Sequence, residues 1–209
     1  MARDDERLER AKEEPIVSGI PDAPGITAAL NLTPGLGLHL RGLADELLVN
    51  DFAGTTLTRA QREMLATATS AANDCFFCMD SHGAFARALL ARDGAEELSP
   101  MIDVIKVGSS DGLDDKMSAL LHIARTVQRG PLGLTDADVA AASAAGASDA
   151  DIQLAVLIAS AFSMYNRLVD GFRARTPVAE EAYVERAVQI AESGYSAPPP
   201  APPQGAEAS

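Results

Sequence analysis

Both cysteines of this 209-residue chain lie in one short segment, together with a histidine. Cys75 and Cys78 are three residues apart, and His82 follows four residues later. On an α-helix, where each residue turns by about 100°, these three positions fall within an arc of about 60° and share one face. Two thiols at this spacing can close a disulfide without a large movement of the backbone. The segment therefore predicts a thiol redox site.

The two cysteines are also expected to lie in the first turn of their helix. Unpaired N–H groups and the helix dipole stabilise a thiolate there, so we expect a thiol pKa below the ordinary value of about 8.5. His82, one turn after Cys78, can accept the thiol proton or stabilise the thiolate as an imidazolium. The helix end by itself favours Cys75 as the more acidic thiol, whereas the spacing to His82 favours Cys78.

Glu63 is the other candidate for this site. It lies twelve residues before Cys75, which on one continuous helix would place it about 120° from the cysteine face. Glu63 joins the site only if the chain turns at Asn73-Asp74, so that two helices pack together. Its carboxylate would then orient His82 or relay protons. The alternative is a solvated glutamate in the first turn of a helix.

Other interpretations of the cysteines and histidines also have to be considered. A zinc site would need a fourth ligand, and the sequence has no second Cys-x-x-Cys and no histidine pair. Buried structural thiols would not need this spacing. His39 and His122 lie in apolar helical stretches and are interpreted as packing or surface residues. We therefore expect no metal and no other cofactor.

The elements that must position these residues are predicted to be helices, because no convincing strand pattern is present. Thr58 and Gln61 form a capping-box pattern at the start of a helix that continues to residue 72. Asp74 is expected to cap the next helix, from Cys75 to about residue 92. The other predicted helices cover residues 38–48, 115–129, 135–146, 148–172 and from Pro177 to about 194, with a polar loop over 106–115. The fold class is all-α.

A duplicated helical unit is possible. The predicted helix that begins at Ser148 is similar to the one that precedes the cysteines. When the two are aligned, Leu168 and Phe172 stand where the first copy has Cys78 and His82, so the second copy would have lost its chemistry. The alternative is that alanine-rich helices resemble one another.

Composition and charge limit the classes of protein and partner. Hydrophobic residues make up 47% of the chain, which excludes overall disorder. Aromatic residues are only 4%, which favours closely packed helices over a β-sandwich. A net charge of −13 without a Lys/Arg cluster argues against nucleic acid. The sequence has no run of 18 apolar residues, so no membrane span is predicted. Residues 1–15 do not resemble a secretory signal, and we therefore expect a cytoplasmic protein.

The chain length fits one domain with tails. Residues 1–25 are predicted to form a charged, partly ordered arm, and residues 26–194 one helical domain. Residues 195–209 are predicted to form a flexible tail, because five prolines follow Ala197.

The spacing of Glu63, Cys75, Cys78 and His82 resembles the core motif of the alkylhydroperoxidase D-like proteins, which belong to the carboxymuconolactone decarboxylase superfamily. Asn73, ahead of the first cysteine, also fits that motif. A weaker similarity to peroxidase-related members runs through residues 134–139, Gly146, residues 148–152 and Asn166-Arg167, so that the resemblance covers roughly residues 26–190. It implies an all-α fold assembled as homotrimers or homohexamers, in which a paired-helix repeat is expected.

The resemblance also implies an activity. Cys78 would attack a hydroperoxide oxygen and become a sulfenic acid. This choice of nucleophile agrees with the spacing to His82 and not with the position of Cys75 nearer the helix end. Cys75 would supply a proton and then resolve the sulfenic acid as a disulfide. His82 and Glu63 would form the proton relay, and an external dithiol would reduce the disulfide.

The chain departs from the founding peroxidase between the two cysteines. Phe76 and Phe77 occupy the gap where that enzyme carries a histidine, which implies a shorter relay. This apolar pair would either favour an organic hydroperoxide or belong to the core. Two alternative functions stay open: a decarboxylase or lactone-processing enzyme, whose branch typically lacks the cysteine pair, and a non-enzymatic redox sensor.

Overall fold

The computed structural model describes residues 2–196, and the regular structure in that range is helical, which confirms the all-α class. The α-helices are α1 (Ala2–Arg10), α2 (Ile26–Leu32), α3 (Pro34–Leu48), α4 (Arg59–Ala72), α5 (Phe76–Arg92), α6 (Pro100–Lys106), α7 (Asp115–Arg129), α8 (Asp136–Ala144), α9 (Asp149–Gly171) and α10 (Glu181–Ser193). Short 3₁₀ turns cover Glu96–Leu98 and Pro131–Gly133. Of the predicted proline-rich tail, residues 197–209 lie outside the described range.

The core forms where α4 packs against α5, α7 and α9. Almost every residue of α4 is buried, including four alanines that let its neighbours approach closely. The inner face of α9 adds Leu154, Ile158 and Phe162, all of which are essentially unexposed. Burial of this apolar surface is the main force that holds the helices together.

The helix starts follow the predicted capping chemistry. Thr58 accepts a hydrogen bond from the backbone N–H of Gln61, and the Gln61 side chain accepts from the Thr58 N–H, which confirms the capping box of α4. Ser148 and Asp151 make the same reciprocal pair at the start of α9. The duplication itself stays a prediction.

The turn between α4 and α5 differs from the prediction by one residue. Asp74 adopts a left-handed conformation (φ 54°), and Cys75 rather than Asp74 is the N-cap of α5. The conformation is tolerable because aspartate and asparagine visit this region more readily than other non-glycine residues. The turn is tied to α9, since Asn73 Nδ2 donates to Asn166 Oδ1 at 2.8 Å and Asn166 Nδ2 donates to Ser70 Oγ at 3.0 Å.

Several elements begin or end elsewhere than predicted. Helix α3 starts at Pro34 because proline fits the first turn of a helix, where its missing N–H would have had no partner. The short helices α2 and α6 were not predicted from the sequence. The predicted loop at residues 106–115 begins only after Lys106. Part of the predicted N-terminal arm forms α1, and Arg7 at its end pairs with buried Asp80 at 2.6 Å.

Helix α9 is long and apolar enough to cross a membrane by length and composition, with a mean hydropathy of 1.4 over its most apolar window. The core helix of a soluble protein meets the same criteria. Here 44% of that window is buried inside the protein, and Asp151 and Asn166 form hydrogen bonds within the fold. Helix α9 is therefore a core helix.

Candidate active site

The two cysteines lie side by side at the start of α5. Both are free thiols, and both are buried, with exposed fractions of 0% for Cys75 and 2% for Cys78. They belong to an apolar cluster with Phe77, Val169 and Tyr183. The structure therefore places the predicted pair in a buried, apolar environment in contact with α9 and α10.

The pKa of Cys75 differs from the prediction. A hydrogen bond with the Cys78 side chain, followed by burial, raises the pKa of Cys75 well above its ordinary value. The nearby carboxylate of Asp170 raises it further. The expectation that the helix start lowers this pKa is thus wrong for Cys75, because desolvation and neighbouring groups outweigh the helix dipole. Cys75 is therefore protonated at neutral pH.

Asp170 is a residue of this site that the sequence did not reveal. It forms a side-chain hydrogen bond with Cys75, and burial raises the pKa of its carboxyl group. The guanidinium of Arg10, 3.6 Å away, opposes that rise. Helix α1 therefore contributes a positive charge near Asp170, next to Cys75.

The predicted partners Glu63 and His82 are in direct contact. His82 Nδ1 lies 2.7 Å from Glu63 Oε2, and Glu63 has no exposed surface. The turn at Asn73-Asp74 makes this possible, since it folds α5 back onto α4. The alternative of a solvated Glu63 is wrong.

Tyr195 completes this cluster. Its hydroxyl donates to Glu63 Oε1 at 2.6 Å and lies 3.3 Å from His82 Nδ1. Burial, followed by the charge of Glu63 and the hydrogen bond to it, raises the pKa of Tyr195 well above its ordinary value, so the phenol stays a donor. Tyr195 and His82 thus each occupy one carboxylate oxygen of Glu63, which leaves the second ring nitrogen of His82 outside this contact.

Aromatic rings fix the orientation of the histidine. The ring of Phe162 meets the His82 ring edge-on, with centroids 4.5 Å apart, and Phe85 does so at 5.2 Å. Tyr195 stacks at 6.0 Å with an interplanar angle of 24°. These contacts restrict the imidazole to the orientation that faces Glu63.

Tyr195 is held by residues distant in sequence, which corrects its assignment to a flexible tail. Asp45 accepts hydrogen bonds from the backbone N–H groups of Tyr195, at 2.6 Å, and Ser196, at 2.9 Å. Arg59 donates to the last carbonyls of α10, those of Ile190 and Ala191, at 2.8 Å each.

Gly194 provides the turn that directs Tyr195 inward. It has a φ of 76°, and a Cβ at this position would lie 2.8 Å from Asp45 Oδ1. The sequence contained a signal for this arrangement, namely a glycine just after a helix and an aromatic residue directly after the glycine. Such a turn often returns an apolar residue to the surface of the helix.

A small chamber of about 40 Å³ connects the two halves of the site. Cys78, His82 and Tyr195 line it, together with Arg41 and Phe162. Cys75 does not line this chamber. The structure therefore places Cys78, and not Cys75, in the same cavity as His82.

The remaining sequence candidates are outside this site. His39 is exposed, and His122 is a surface residue whose Nε2 lies 2.9 Å from Asp138 Oδ1. Within residues 2–196 no three His, Cys, Asp or Glu side chains are grouped so that they could hold a metal ion.

Residues 42–124 match the model of the carboxymuconolactone decarboxylase family. This confirms the resemblance inferred from the sequence. The family segment contains Glu63, both cysteines and His82, whereas Tyr195 and Asp170 lie beyond it. No curated protein matches the chain.

Two solved structures have the same fold as this chain. One is an uncharacterized peroxidase-related protein from Ralstonia eutropha JMP134 with an alkylhydroperoxidase AhpD core: the TM-score is 0.64 and the identity 23%, over 79% of this chain and 82% of that one. The other is an uncharacterized peroxidase-related protein from Silicibacter sp. TM1040, with a TM-score of 0.63 and 21% identity over 83% and 93% of the respective chains. At these identities the likeness concerns the fold.

Proposed function

We propose that this protein is a thiol-dependent peroxidase that reduces hydroperoxides through a Cys75–Cys78 dithiol/disulfide cycle. The observation that supports the proposal best is the chamber shared by Cys78 and His82, because the histidine is already hydrogen-bonded to Glu63. A nucleophile, a base and a group that orients the base are the components needed to activate a thiol. The likeness to peroxidase-related folds is consistent with this assignment.

In the first step, His82 takes the proton of the Cys78 thiol. The Cys78 thiolate attacks the terminal oxygen of the hydroperoxide ROOH, the O–O bond breaks, and Cys78 becomes a sulfenic acid. The leaving alkoxide is protonated to the alcohol ROH by the imidazolium of His82. The Glu63 carboxylate stabilises the transient positive charge on the imidazole. The Tyr195 hydroxyl holds that carboxylate in place.

In the second step, Cys75 attacks the sulfur of the sulfenic acid. The Cys75 sulfur loses its proton, hydroxide leaves Cys78, and proton and hydroxide depart as water. The sum is ROOH plus two thiols giving ROH, water and one disulfide. The raised pKa of Cys75 supports its role as the protonated, resolving thiol rather than the first nucleophile.

An external dithiol closes the cycle by reducing the disulfide through thiol exchange. We propose a cytoplasmic location for the protein, where such reductants are available. We also propose a homotrimer or homohexamer with no nucleic-acid or membrane partner. Static light scattering that gave the mass of a monomer would contradict the assembly.

The test is stopped-flow mixing of the reduced protein with cumene hydroperoxide, followed by mass mapping of the cysteines. We expect one Cys75–Cys78 disulfide for each peroxide consumed. Cys78→Ser should abolish consumption, while Cys75→Ser should leave a sulfenic acid that dimedone traps. Absence of a peroxide-dependent disulfide would refute the proposal, and turnover of a carboxylated substrate by the double Cys→Ser variant would instead indicate a decarboxylase or lactone-processing enzyme.

A further inference from the structure

A much larger cleft, of about 650 Å³, borders the small chamber. Its walls come from α3, α5 and α10, and its apolar surface includes Leu38, Phe77 and Phe85. Leu38 is 65% exposed although it is a large aliphatic side chain. The volume lies in the range of ligand pockets, which are mostly apolar with a few polar groups that orient the ligand.

Two arginines supply the charged groups of this cleft. Arg41 and Arg186 both line it, and neither forms an ion pair with a carboxylate among residues 2–196 whose side chains are described. Arg41 donates to the neutral amide of Asn31 at 2.6 Å, and Arg186 donates to the amide of Gln189. In a chain with a net charge of −13, two cations bound only to neutral partners in one apolar cleft are a strong sign of an anion site.

The carboxylate that acts on Arg186 through its charge does not form an ion pair with it. Asp45 acts on Arg186 electrostatically, but its two oxygens already accept the backbone N–H groups of Tyr195 and Ser196. The two guanidinium groups also repel each other, since the charge of Arg41 opposes that of Arg186. A bound anion would relieve this repulsion.

The cleft and the chamber meet at one of these arginines. Arg41 lines both cavities, and Phe77 of the cleft is adjacent to Cys78 of the chamber. A ligand in the cleft would therefore lie beside the chamber that Cys78 lines.

We propose that the cleft binds amphipathic carboxylates, with the apolar chain along Leu38, Phe77 and Phe85 and the carboxylate at Arg41 and Arg186. Together with the proposed peroxidase function, on which this step rests, the anion site identifies the substrate class as organic hydroperoxides that carry a carboxylate. A bidentate guanidinium–carboxylate pair supplies the orientation, and the apolar wall supplies the burial.

The test measures binding without peroxide chemistry, by calorimetry on the reduced full-length protein with decanoate, decanol and decylammonium as probes. We expect decanoate to bind about tenfold more tightly than decanol, and decylammonium to bind least. Arg186→Gln should weaken decanoate binding about tenfold, and Arg186→Lys should restore only part of it, because lysine keeps the charge but cannot form the bidentate pair. Arg167→Gln, on the exposed side of α9, removes the same charge and should leave decanoate binding unchanged.

Equal binding of decanoate and decanol would overturn the proposal, as would decanoate binding that Arg186→Gln does not affect. Absence of saturable heat, as expected if a second copy of the chain covers the cleft, would overturn it too. These outcomes are independent of the thiol chemistry. Decanoate binding with no peroxide-dependent disulfide would refute the peroxidase and keep the anion site, and the reverse result would refute only the anion site.

Discussion

Glu63 and Asp151 both have no exposed surface, yet they are surrounded by different kinds of group. Asp151 accepts four hydrogen bonds, from the hydroxyls of Thr55 and Thr56 and the backbone N–H groups of Thr56 and Ser148. Glu63 instead faces a histidine and a tyrosine beside a chamber. The first carboxylate joins a loop to a helix start, and the second contacts groups that can carry protons.

The comparison shows that burial of a carboxylate does not by itself indicate catalysis. Burial alone would raise the pKa of Asp151, but the hydrogen bonds from Thr55, Thr56 and Ser148 outweigh it and lower that pKa far below its ordinary value. Such a carboxylate stays ionised and cannot exchange protons near neutral pH. The chemical nature of the neighbours, and the presence of a cavity, separate a proposed relay from a structural anchor.

The largest expected effect comes from Glu63→Gln. The amide cannot stabilise an imidazolium, so we expect the rate of peroxide-dependent disulfide formation to fall by about 100-fold or more. Stopped-flow measurement of that rate tests the prediction, with Asp151→Asn as the matched control at the other buried carboxylate. Similar rates for Glu63→Gln and wild type would remove Glu63 from the relay.

Asp151→Asn should change stability instead of rate. Its amide NH₂ would face donors that need an acceptor, so we expect the free energy of unfolding to fall by about 1–3 kcal/mol. Urea unfolding measures this change. A variant as stable as wild type would show that the four hydrogen bonds contribute little.

The same variant gives a pH test. Because folding lowers the pKa of Asp151 below its unfolded value of about 3.9, its ionised form stabilises the fold fully above that value. That contribution is lost as the pH falls toward the lower pKa of the folded state. The stability difference between wild type and Asp151→Asn should therefore be constant above about pH 5 and shrink below about pH 4. A difference that grew with acid would contradict the assignment.

A smaller effect is expected for Tyr195→Phe, which tests its role as a positioning residue. Loss of the hydroxyl removes one donor from Glu63, and we expect the rate of disulfide formation to fall about tenfold. Stability should fall little, because phenylalanine keeps the ring that stacks on His82. If Asp151→Asn slowed disulfide formation equally through its loss of stability alone, Tyr195 would act only in packing.

Much of the fold could be predicted because the signals are local. The capping boxes at Thr58 and Ser148 depend on residues three positions apart, and the structure confirms both. The short helices α2 and α6 gave no such signal, since each is seven residues long and stabilised by packing rather than propensity. Asp74 was misassigned because its left-handed conformation depends on how α4 and α5 meet.

The sequence by itself determined the all-α class, the common face of Cys75, Cys78 and His82, and the family resemblance, because helical periodicity and motif spacing are properties of neighbouring residues. Only the tertiary structure decided that Glu63 reaches His82, that the pKa of Cys75 is raised, and that Tyr195 enters the site. These depend on burial and on contacts between residues as far as 151 positions apart. Desolvation and long-range contacts arise only once the helices pack, so no local pattern contains them.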